Sequence, residues 1–404
     1  MSTIAVLGTL DTKGAEHAYV ADLIRTRGHE VLILDVGTLA PPTLTPHIPR
    51  ETIAAAAQAD PAQLAARRDR GEAVTAMSRG APIVVAQLAA EGRIHGILSL
   101  GGGGGTAIAT AAMRALPIGF PKVMVSTLVS GNVAPYVGAK DIVLIPAVVD
   151  VAGLNRISRL LLARAAGAIC GMVESNPPPV ATDKPVIVAT QFGNTTPCID
   201  RARQRLEQAG YEVVVCAATG SGGRTFESLI ESGMVAAALD LTTTEWADEL
   251  VGGVLNAGPT RLEAAGRAGI PAVVSTGCLD MVNFGPPETV PDRFRGRLFY
   301  PHNPQVTLMR TTPDENTALG RILAEKLNAY RGPVTVVLPL RGGSLIGAPG
   351  GPFHDPEADR ALYGTLKTHL DPRIAVRELD CAINDPLFAD TCADLLLAAL
   401  PQSP

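Results

Sequence analysis

Two stretches of this chain carry the same strand–loop–helix–strand pattern at a constant spacing. In the first, apolar residues 4–6 precede the loop GTLDTKGAEH, and the pattern ends in VLILD at 31–35. In the second, VIVAT at 186–190 precedes QFGNTTPC, and the pattern ends in GYEVVVCA. Gly28 and Gly210 hold equivalent positions, 182 residues apart. A strand, a helix and a second strand in this order predict a βαβ unit with parallel strands. A repeat of that unit predicts two similar domains.

The similarity continues beyond the first unit. GRIHGILSL before a run of glycines matches SGMVAAALDL before TTTEW, and FPKVMVS matches IPAVVST. The repeated order predicts an α/β protein with two similar doubly wound, mostly parallel-sheet (Rossmann-like) domains and a cleft between them. The Pro-rich segment at 174–185 predicts an extended linker, because consecutive prolines cannot continue a helix. We therefore expect domains over 1–180 and 181–404. Chance similarity of two βαβ units stays an alternative.

Two further segments have a clear helix or strand pattern. Residues 60–92 are expected to be helical, with Asp60 as a cap before Pro61. From 312 onward the pattern predicts a helix to about 330, the strand VTVVLP, a Gly/Pro loop at 341–352, and then a helix, a strand and a final helix. These elements complete the second domain.

Composition narrows the functional classes. The 404 residues are 47% hydrophobic and 18% charged, with a net charge of −5, and the basic residues form no stripe. This argues against a nucleic-acid partner. The N-terminal residues lack a basic signal region and no long uncharged apolar run follows, so we expect a cytoplasmic protein without a membrane partner. The six cysteines and seven histidines show no metal-ligand spacing, so we interpret the cysteines as reduced core residues.

The strongest functional signal is the run of five glycines at 101–105, which follows an apolar strand and precedes Thr106 at an apparent helix start. Glycine allows backbone N–H groups to approach a phosphate closely, because no Cβ intervenes. The run matches neither the P-loop nor the GxGxxG dinucleotide motif. A glycine turn that merely packs a strand tightly against a helix is the alternative.

Two polar loops are expected beside the glycine run. The first supplies Thr9, Asp11, Thr12 and Lys13; Lys13 could pair with phosphate and Asp11 could hold Mg²⁺. A helix-capping Asp or Thr with a solvated Lys is the alternative. The second loop, around 126–132, could line a third wall or form an ordinary polar turn.

The second domain offers weaker candidates. Gly220, Gly222, Gly223 and Arg224 form a second possible anion-binding loop. Glu245, His302 and His354 are weak catalytic candidates. The alternative for Glu245, together with Asp248 and Glu249, is that these carboxylates only complement the dipole at the start of a helix. The alternative for the two histidines is a structural hydrogen bond. Cys278 ends a strand and could be a nucleophile, but no activating neighbour is evident in the sequence.

Several long motifs resemble those of a known family. They include GTLDTKG, LSLGGGGGTAIATAAMRALPIG, VSGNVAPYVG, DLTTTEWADELVGGVLNAGPTRLEAAGRAGIP and PHNPQVTLMRTTPDEN. The chain resembles, over nearly its whole length, the ATP-binding-domain family typified by the tomato mosaic virus resistance protein. The resemblance implies a two-subdomain α/β architecture, ATP binding with magnesium, and homodimers. The antiviral role of the plant protein belongs to one host and pathogen, and we do not transfer it.

Carried onto this sequence, the resemblance implies nucleotide binding by three groups of residues. They are Thr9, Asp11, Thr12 and Lys13; Gly102, Gly103, Gly104, Gly105 and Thr106; and Ser130, Gly131 and Asn132. Gly103 stands where serine is expected in many relatives, which leaves backbone amides to bind there.

Sequence therefore predicts an ATP (Mg-nucleotide) binding protein. The alternative is a metabolic enzyme acting on a small phosphorylated or carboxylated substrate at the cleft between the domains, with groups from LTTTE, HNPQ and FHDP. A third interpretation, NAD binding, depends on Asp35 at the end of VLILD.

Overall fold

The computed structural model describes residues 1–175 and 183–400. The chain divides into two compact units, Met1–Pro179 and Val180–Pro404. Most of the linker expected at 174–185 lies outside the described residues.

The N-terminal unit alternates strands and helices, as the sequence predicts. Its strands are β1 (Thr3–Gly8), β2 (Glu30–Asp35), β3 (Gly96–Gly101), β4 (Lys122–Ser126) and β5 (Val143–Pro146). Its helices are α1 (Leu10–Thr26), α2 (Arg50–Ala56), α3 (Pro61–Arg67), α4 (Arg70–Ala90), α5 (Gly103–Arg114), α6 (Ala134–Val137) and α7 (Arg156–Glu174). The strands pair in parallel in the order β2-β1-β3-β4-β5. The order reverses between β1 and β3, and the loops that follow these two strands diverge there.

Apolar side chains cover both faces of this sheet. Ile53, Met77 and Ile108 from α2, α4 and α5 pack against one face, and Val20 and Ile169 from α1 and α7 pack against the other. Because β3 is buried along its whole length, its sequence is mostly apolar, with Ser99 as its polar residue, and does not alternate between apolar and polar residues. The unit therefore has three layers, with helices on both sides of a parallel sheet.

The helix expected over 60–92 is interrupted. Asp60 caps α3 as predicted, accepting a hydrogen bond from the N–H of Ala62 at 2.8 Å, but α3 ends before Arg68, which adopts a left-handed conformation (φ 53°). Asp69 then caps α4. Among the described helices, α4 alone is long and apolar enough to cross a membrane by composition. Its apolar residues form part of the core described above, as in a core helix.

The C-terminal unit repeats this architecture and extends it. Its strands are β6 (Val186–Gln191), β7 (Glu212–Ala217), β8 (Ala237–Thr242), β9 (Ala272–Gly277), β10 (Met281–Phe284), β11 (Phe299–Asn303), β12 (Val306–Arg310), β13 (Val334–Pro339) and β14 (Ala375–Leu379). Its helices are α8 (Thr196–Gln208), α9 (Ser221–Glu231), α10 (Glu245–Val251), α11 (Ala264–Ala268), α12 (Pro313–Asn328), α13 (Pro356–His369) and α14 (Pro386–Ala399).

The predicted repeat is confirmed by the strand order. The main sheet of the C-terminal unit reads β7-β6-β8-β9-β13-β14, all parallel, so its first four strands follow the order β2-β1-β3-β4 of the N-terminal sheet. The elements expected after residue 312 are also present. A three-stranded antiparallel sheet, β10-β12-β11, was not predicted, because its short strands carry no repeat partner in the first unit. The six cysteines are free and buried, as expected.

Candidate functional site

The loops that follow β1 and β3 border a cavity of about 320 Å³ at the carboxyl edge of the N-terminal sheet. Parallel strands that diverge at a reversal of strand order leave such a crevice between their loops. Thr9, Asp11, Thr12 and Lys13 line the cavity from one side. Gly102, Gly104 and Gly105 line it from the other. The two segments that the sequence singled out are therefore brought together.

The first of these segments is more regular than the loop that the sequence suggests. α1 already begins at Leu10, so residues 11–13 lie in its first turn. Thr9 is the N-cap residue, but its side chain makes no capping hydrogen bond. The backbone leaves helical geometry at Lys13 (φ −131°, ψ 23°). The N–H groups of Thr12 and Lys13 donate to the Thr9 carbonyl oxygen, and the N–H of Leu10 donates to Asp35, so Asp11 has the one N–H of this turn without a partner among the described residues.

A buried histidine lies beneath this turn. The Nδ1 atom of His17 is 2.7 Å from the carbonyl oxygen of Lys13, and Nε2 is 3.2 Å from that of Leu7. A Cβ at Gly8 would lie 1.8 Å from Nε2, so the ring occupies space that only glycine leaves open. Burial lowers the pKa of His17 below 6.5. Burial thus favours the neutral imidazole, which can donate a hydrogen bond to one of these two carbonyl oxygens.

Asp35, on which the NAD interpretation depends, is buried, and both of its carboxylate oxygens already accept hydrogen bonds within the chain. Oδ1 accepts hydrogen bonds from the N–H groups of Leu10 (3.2 Å) and Gly37 (2.9 Å). Oδ2 accepts one from Nε of Arg50 at 2.7 Å. A carboxylate held in this way cannot receive ribose hydroxyls, so the structure gives the NAD interpretation no support.

Asp11 retains a free oxygen. Its Oδ2 accepts from the N–H of Leu39 at 2.8 Å, whereas Oδ1 is buried without a hydrogen-bond partner in the described part of the chain. A Cβ at Gly37 would lie 2.5 Å from this Oδ1. A buried carboxylate oxygen without a partner is costly, so this atom is a candidate ligand for a cation.

The five glycines have no conformational reason to be glycine. None of residues 101–105 has a positive φ. A Cβ at Gly103 would meet nothing within 4 Å, and a Cβ at Gly102 or Gly105 would meet only ordinary contacts at 3.7 and 3.8 Å. Gly102 caps α5 without a side-chain hydrogen bond. The first N–H groups of α5 therefore depend on solvent or on a ligand.

Several predicted residues do not reach this cavity. Thr106 is buried inside α5, and its hydroxyl lies 2.7 Å from that of Ser126, so it joins two elements and does not face a ligand. Ser130 lines a neighbouring cavity instead. The N–H of Gly131 bonds to Leu128, and Asn132 accepts from the N–H of Ala134. The last two stabilise a polar turn, which was the alternative interpretation.

Two charged residues of the cavity wall were missed by the sequence analysis. Arg70 opens α4, and Asp150 follows β5; both line the cavity. Arg70 lies in a segment that the sequence predicts only as a helix, and Asp150 lies in VDVAGLNRISR, a family-like motif to which no binding role was assigned. Within the described residues, neither Arg70 nor Lys13 forms an ion pair. The cavity therefore contains two cationic side chains without a carboxylate partner.

The anion-binding loop predicted in the C-terminal unit exists, but the chain itself fills it. Oε1 of Glu245 accepts hydrogen bonds from the N–H groups of Gly220 (2.6 Å) and Gly223 (3.0 Å), and Oε2 accepts one from Nε of Arg261 at 2.8 Å. Gly222 is needed for packing, because a Cβ there would lie 1.7 Å from the Ala217 carbonyl oxygen. Glu245 is thus a buried structural anion, which corrects its candidacy as a catalytic group.

The remaining candidates of the C-terminal unit are two exposed histidines and two buried groups. His302 is exposed on β11 and His354 is exposed in a loop, where its Nδ1 lies 3.3 Å from the Gly347 carbonyl oxygen. Burial raises the pKa of the Cys278 thiol well above 9.0, so this cysteine is not a thiolate nucleophile. Burial also raises the pKa of Asp248 to about 7. No catalytic constellation forms from these residues.

Among residues 1–175 and 183–400, no group of three or more His, Cys, Asp or Glu side chains converges as metal ligands. A cation at Asp11 would therefore need ligands from a bound molecule or from water. Mg²⁺ is commonly held in this manner, by one or two carboxylates together with phosphate oxygens.

Comparison with known proteins gives matches to both units. The N-terminal and C-terminal domain models of the uncharacterised protein family UPF0261 match residues 2–178 and 184–400. A UPF0261 protein of Clostridium tetani is 49% identical over 395 residues, covering 98% of each chain. The ToMV resistance protein Tm-1(GCR237) of Solanum lycopersicum is 42% identical over 341 residues, which cover 83% of this chain and 45% of that protein. A putative UDP-N-acetylglucosamine 2-epimerase from Listeria monocytogenes is similar only at 9% identity and a TM-score of 0.23, covering 67% of this chain and 78% of the enzyme.

Proposed function

The chain belongs to the uncharacterised family UPF0261 over both of its units, and from the N-terminal cavity we propose that it binds ATP as the magnesium complex. The triphosphate would lie between the first turn of α1 and the glycine loop that opens α5.

One observation carries this proposal: Gly102 and Gly105 line the cavity, and glycine at these positions is required neither by backbone conformation nor by packing within the chain. Glycine in these positions lowers stability, because it is flexible in the unfolded chain and weak in a helix. The remaining physical reason is close approach of a ligand to backbone N–H groups. Phosphate oxygens suit this arrangement, since they accept several hydrogen bonds at once.

The charges around the cavity favour a ligand with several negative charges. The amino-terminal ends of α1 and α5 contribute partial positive charge, and neither N-cap residue, Thr9 or Gly102, makes a side-chain capping hydrogen bond. Lys13 and Arg70 add two full charges. Asp11 and Asp150 line the same cavity, so two cations and two carboxylates surround it, and this set suits a polyphosphate that is bound together with a divalent cation.

Asp11 supports the magnesium part of the proposal. Its buried Oδ1 atom lacks a partner among the described residues, and the carboxylate borders the same cavity as Lys13 and the glycines. A Mg²⁺ ion on this oxygen would take its other ligands from phosphate and water. Asp11→Asn should therefore weaken ATP binding in the presence of Mg²⁺ and have little effect without it.

The test is isothermal titration of the purified protein with ATP, ADP, NAD and inorganic phosphate, each with and without Mg²⁺. Tight binding of Mg·ATP, weaker binding of ADP and no binding of NAD are the expected results. Binding of inorganic phosphate without binding of ATP would replace this proposal with the alternative, an enzyme for a small anionic substrate.

A matched pair of variants on one helix identifies the site. Arg70→Gln removes a cation from the cavity, and Arg79→Gln removes an exposed cation from the same helix α4 outside it. We expect Arg70→Gln to weaken Mg·ATP binding roughly tenfold, about 1.4 kcal/mol, and Arg79→Gln to leave it unchanged. Equal effects of both changes would mean that ATP binds elsewhere.

A further inference from the structure

A second cavity, of about 500 Å³, follows β4 and β5 on the same edge of the N-terminal sheet. Its walls include Thr127 and Ser130 after β4, and Val148 after β5. Asp150 borders both this cavity and the proposed nucleotide cavity. The two cavities therefore share a wall at one carboxylate, and the proposed function makes no use of the second cavity.

The two cavities differ in charge. The nucleotide cavity contains Lys13 and Arg70, whereas no lysine or arginine lines the second cavity, and Asp150 is its one charged side chain. Its other polar groups are the hydroxyls of Ser126, Thr127 and Ser130. An anion would be repelled by Asp150 and would find no cation, so this lining fits an uncharged molecule that carries hydroxyl groups.

The backbone that presents Asp150 is strained. Val148 has a positive φ of 63°, which is rare for a β-branched residue. The N–H of Val149 donates to the carbonyl oxygen of Ala147 at 2.7 Å, so the three residues form a tight γ-turn of the uncommon kind. Strain of this type persists where the surrounding structure maintains it, and it is concentrated at functional sites.

One oxygen of Asp150 is held and the other is available. Oδ1 accepts a hydrogen bond from the N–H of Val151 at 2.8 Å, which fixes the orientation of the carboxylate. Oδ2 makes no hydrogen bond to another described residue. A carboxylate with one anchored oxygen and one available oxygen is the arrangement that a general base requires.

We propose that the second cavity binds an uncharged alcohol or sugar, and that Asp150 is the general base for transfer of the terminal phosphoryl group of ATP to its hydroxyl oxygen. The proposal rests on ATP binding in the first cavity. Asp150 accepts the proton of the acceptor hydroxyl while that oxygen forms a bond to the terminal phosphorus. The bond from this phosphorus to the bridging oxygen breaks, and its electron pair leaves with ADP. The products are ADP and a phosphate ester, and Asp150 releases the proton to solvent.

The first experiment measures ADP formation with glycerol, erythritol, D-ribose and D-glucose as acceptor probes, and identifies the ester by phosphorus NMR. We expect ADP formation that depends on at least one of these probes. Asp150→Asn should lower its rate by about 10²- to 10⁴-fold. The same change removes a negative charge beside the phosphates, so the affinity for Mg·ATP should stay equal or increase.

A second experiment needs no nucleotide. Ser130→Trp places a large side chain in the second cavity, and Val143→Trp places one on β5 at an exposed position that does not line it. Saturation-transfer NMR of the nucleotide-free protein should detect the effective probe with wild type and with Val143→Trp, but not with Ser130→Trp. Ser130→Trp should also lose ester formation while it retains Mg·ATP binding.

The outcomes separate the two proposals. If calorimetry shows no Mg·ATP binding, the proposed nucleotide site is wrong and this inference falls with it. If Mg·ATP binds but none of the four probes increases ADP formation or binds in the NMR experiment, the acceptor site alone is wrong. A rate that is unchanged in Asp150→Asn would overturn the assignment of the base.

Discussion

The carboxylate of Glu245 lies at the amino-terminal end of α9, where its Oε1 accepts a hydrogen bond from the N–H of Gly220 at 2.6 Å. A helix N-terminus with free N–H groups is an anion site, and here the anion is part of the chain. The repeat that aligns Leu100 with Leu241 also aligns Gly104 with Glu245. The position that supplies this anion in the C-terminal unit is therefore a glycine in the N-terminal unit.

Removal of the Glu245 carboxylate should lower the stability of the fold, and an anion added to the buffer should restore part of that stability. Glu245→Ala leaves Arg261 and two N–H groups buried with fewer partners, and loss of one member of a buried ion pair costs about 3–5 kcal/mol. We expect a lower melting temperature, part of which is recovered in formate but not in chloride at equal ionic strength.

The control for this change is Glu231→Ala, which removes a half-exposed partner of Arg267. Exposed pairs contribute about 0–1 kcal/mol, and formate should not affect this variant. If formate failed to raise the melting temperature of Glu245→Ala selectively, the pocket at Gly220 and Gly223 would not be a preformed anion site.

Gly105→Ala should change stability and ligand affinity in opposite directions. Its Cβ would meet only an ordinary contact at 3.8 Å within the protein, and alanine favours a helix over glycine by roughly 0.5–1 kcal/mol. The variant should therefore unfold at higher urea concentration than wild type. A methyl group beside the phosphates should weaken Mg·ATP binding roughly tenfold.

Gly171→Ala in α7 is the matched control, because a Cβ there meets nothing within 4 Å and the position does not line the cavity. It should gain stability without loss of affinity. If Gly105→Ala bound Mg·ATP as tightly as wild type, the glycine run would lose its functional explanation.

The parts of the fold that follow from local periodicity were predictable. The apolar strands and their loops recur along the chain, so the succession of strands and helices and the position of the Gly8–Lys13 and glycine segments at strand ends could be inferred before any contact was known. What could not be inferred is which groups meet across long separations. Arg70 and Asp150 reach the cavity from α4 and from the turn after β5, and no local pattern predicts that either residue lines it.

Contacts between residues far apart in the sequence also explain why two predicted site residues are not available to a ligand. Thr106 and Glu245 have the residue types of a ligand-binding hydroxyl and a catalytic carboxylate, yet each is buried against a partner far along the chain, Ser126 and Arg261. Residue type and spacing describe what a side chain can do. Burial and the identity of its partner decide whether it is available, and these depend on the tertiary structure.

The neutral state of His17 predicts a loss of stability in mild acid. Its pKa is lowered from 6.5 by burial, so below about pH 6.5 the unfolded chain binds a proton that the folded chain does not. The contribution is fully present above pH 6.5 and is lost as the pH falls, with a slope of at most about 1.4 kcal/mol per pH unit. Urea denaturation between pH 5 and 8 measures it.

His17→Phe should remove this slope, and His302→Phe, at an exposed position on β11, should retain it. His17→Phe should also weaken Mg·ATP binding, because the ring no longer bonds to the Lys13 carbonyl beneath the first turn of α1. A pH slope that persists in His17→Phe would assign the acid sensitivity to another group.

Asp248, unlike His17, should make the protein less stable as the pH rises. Burial raises its pKa to about 7, although Asn283 donates to it from its side chain at 2.6 Å. Between pH 3.8 and 7 the folded chain retains a proton that the unfolded chain releases, so this contribution to stability is lost as the pH rises through about 7. Asp248→Asn cannot ionise and should be relatively more stable than wild type at pH 8 than at pH 5. A stability difference between the two proteins that is the same at both pH values would show that Asp248 is already ionised in the fold.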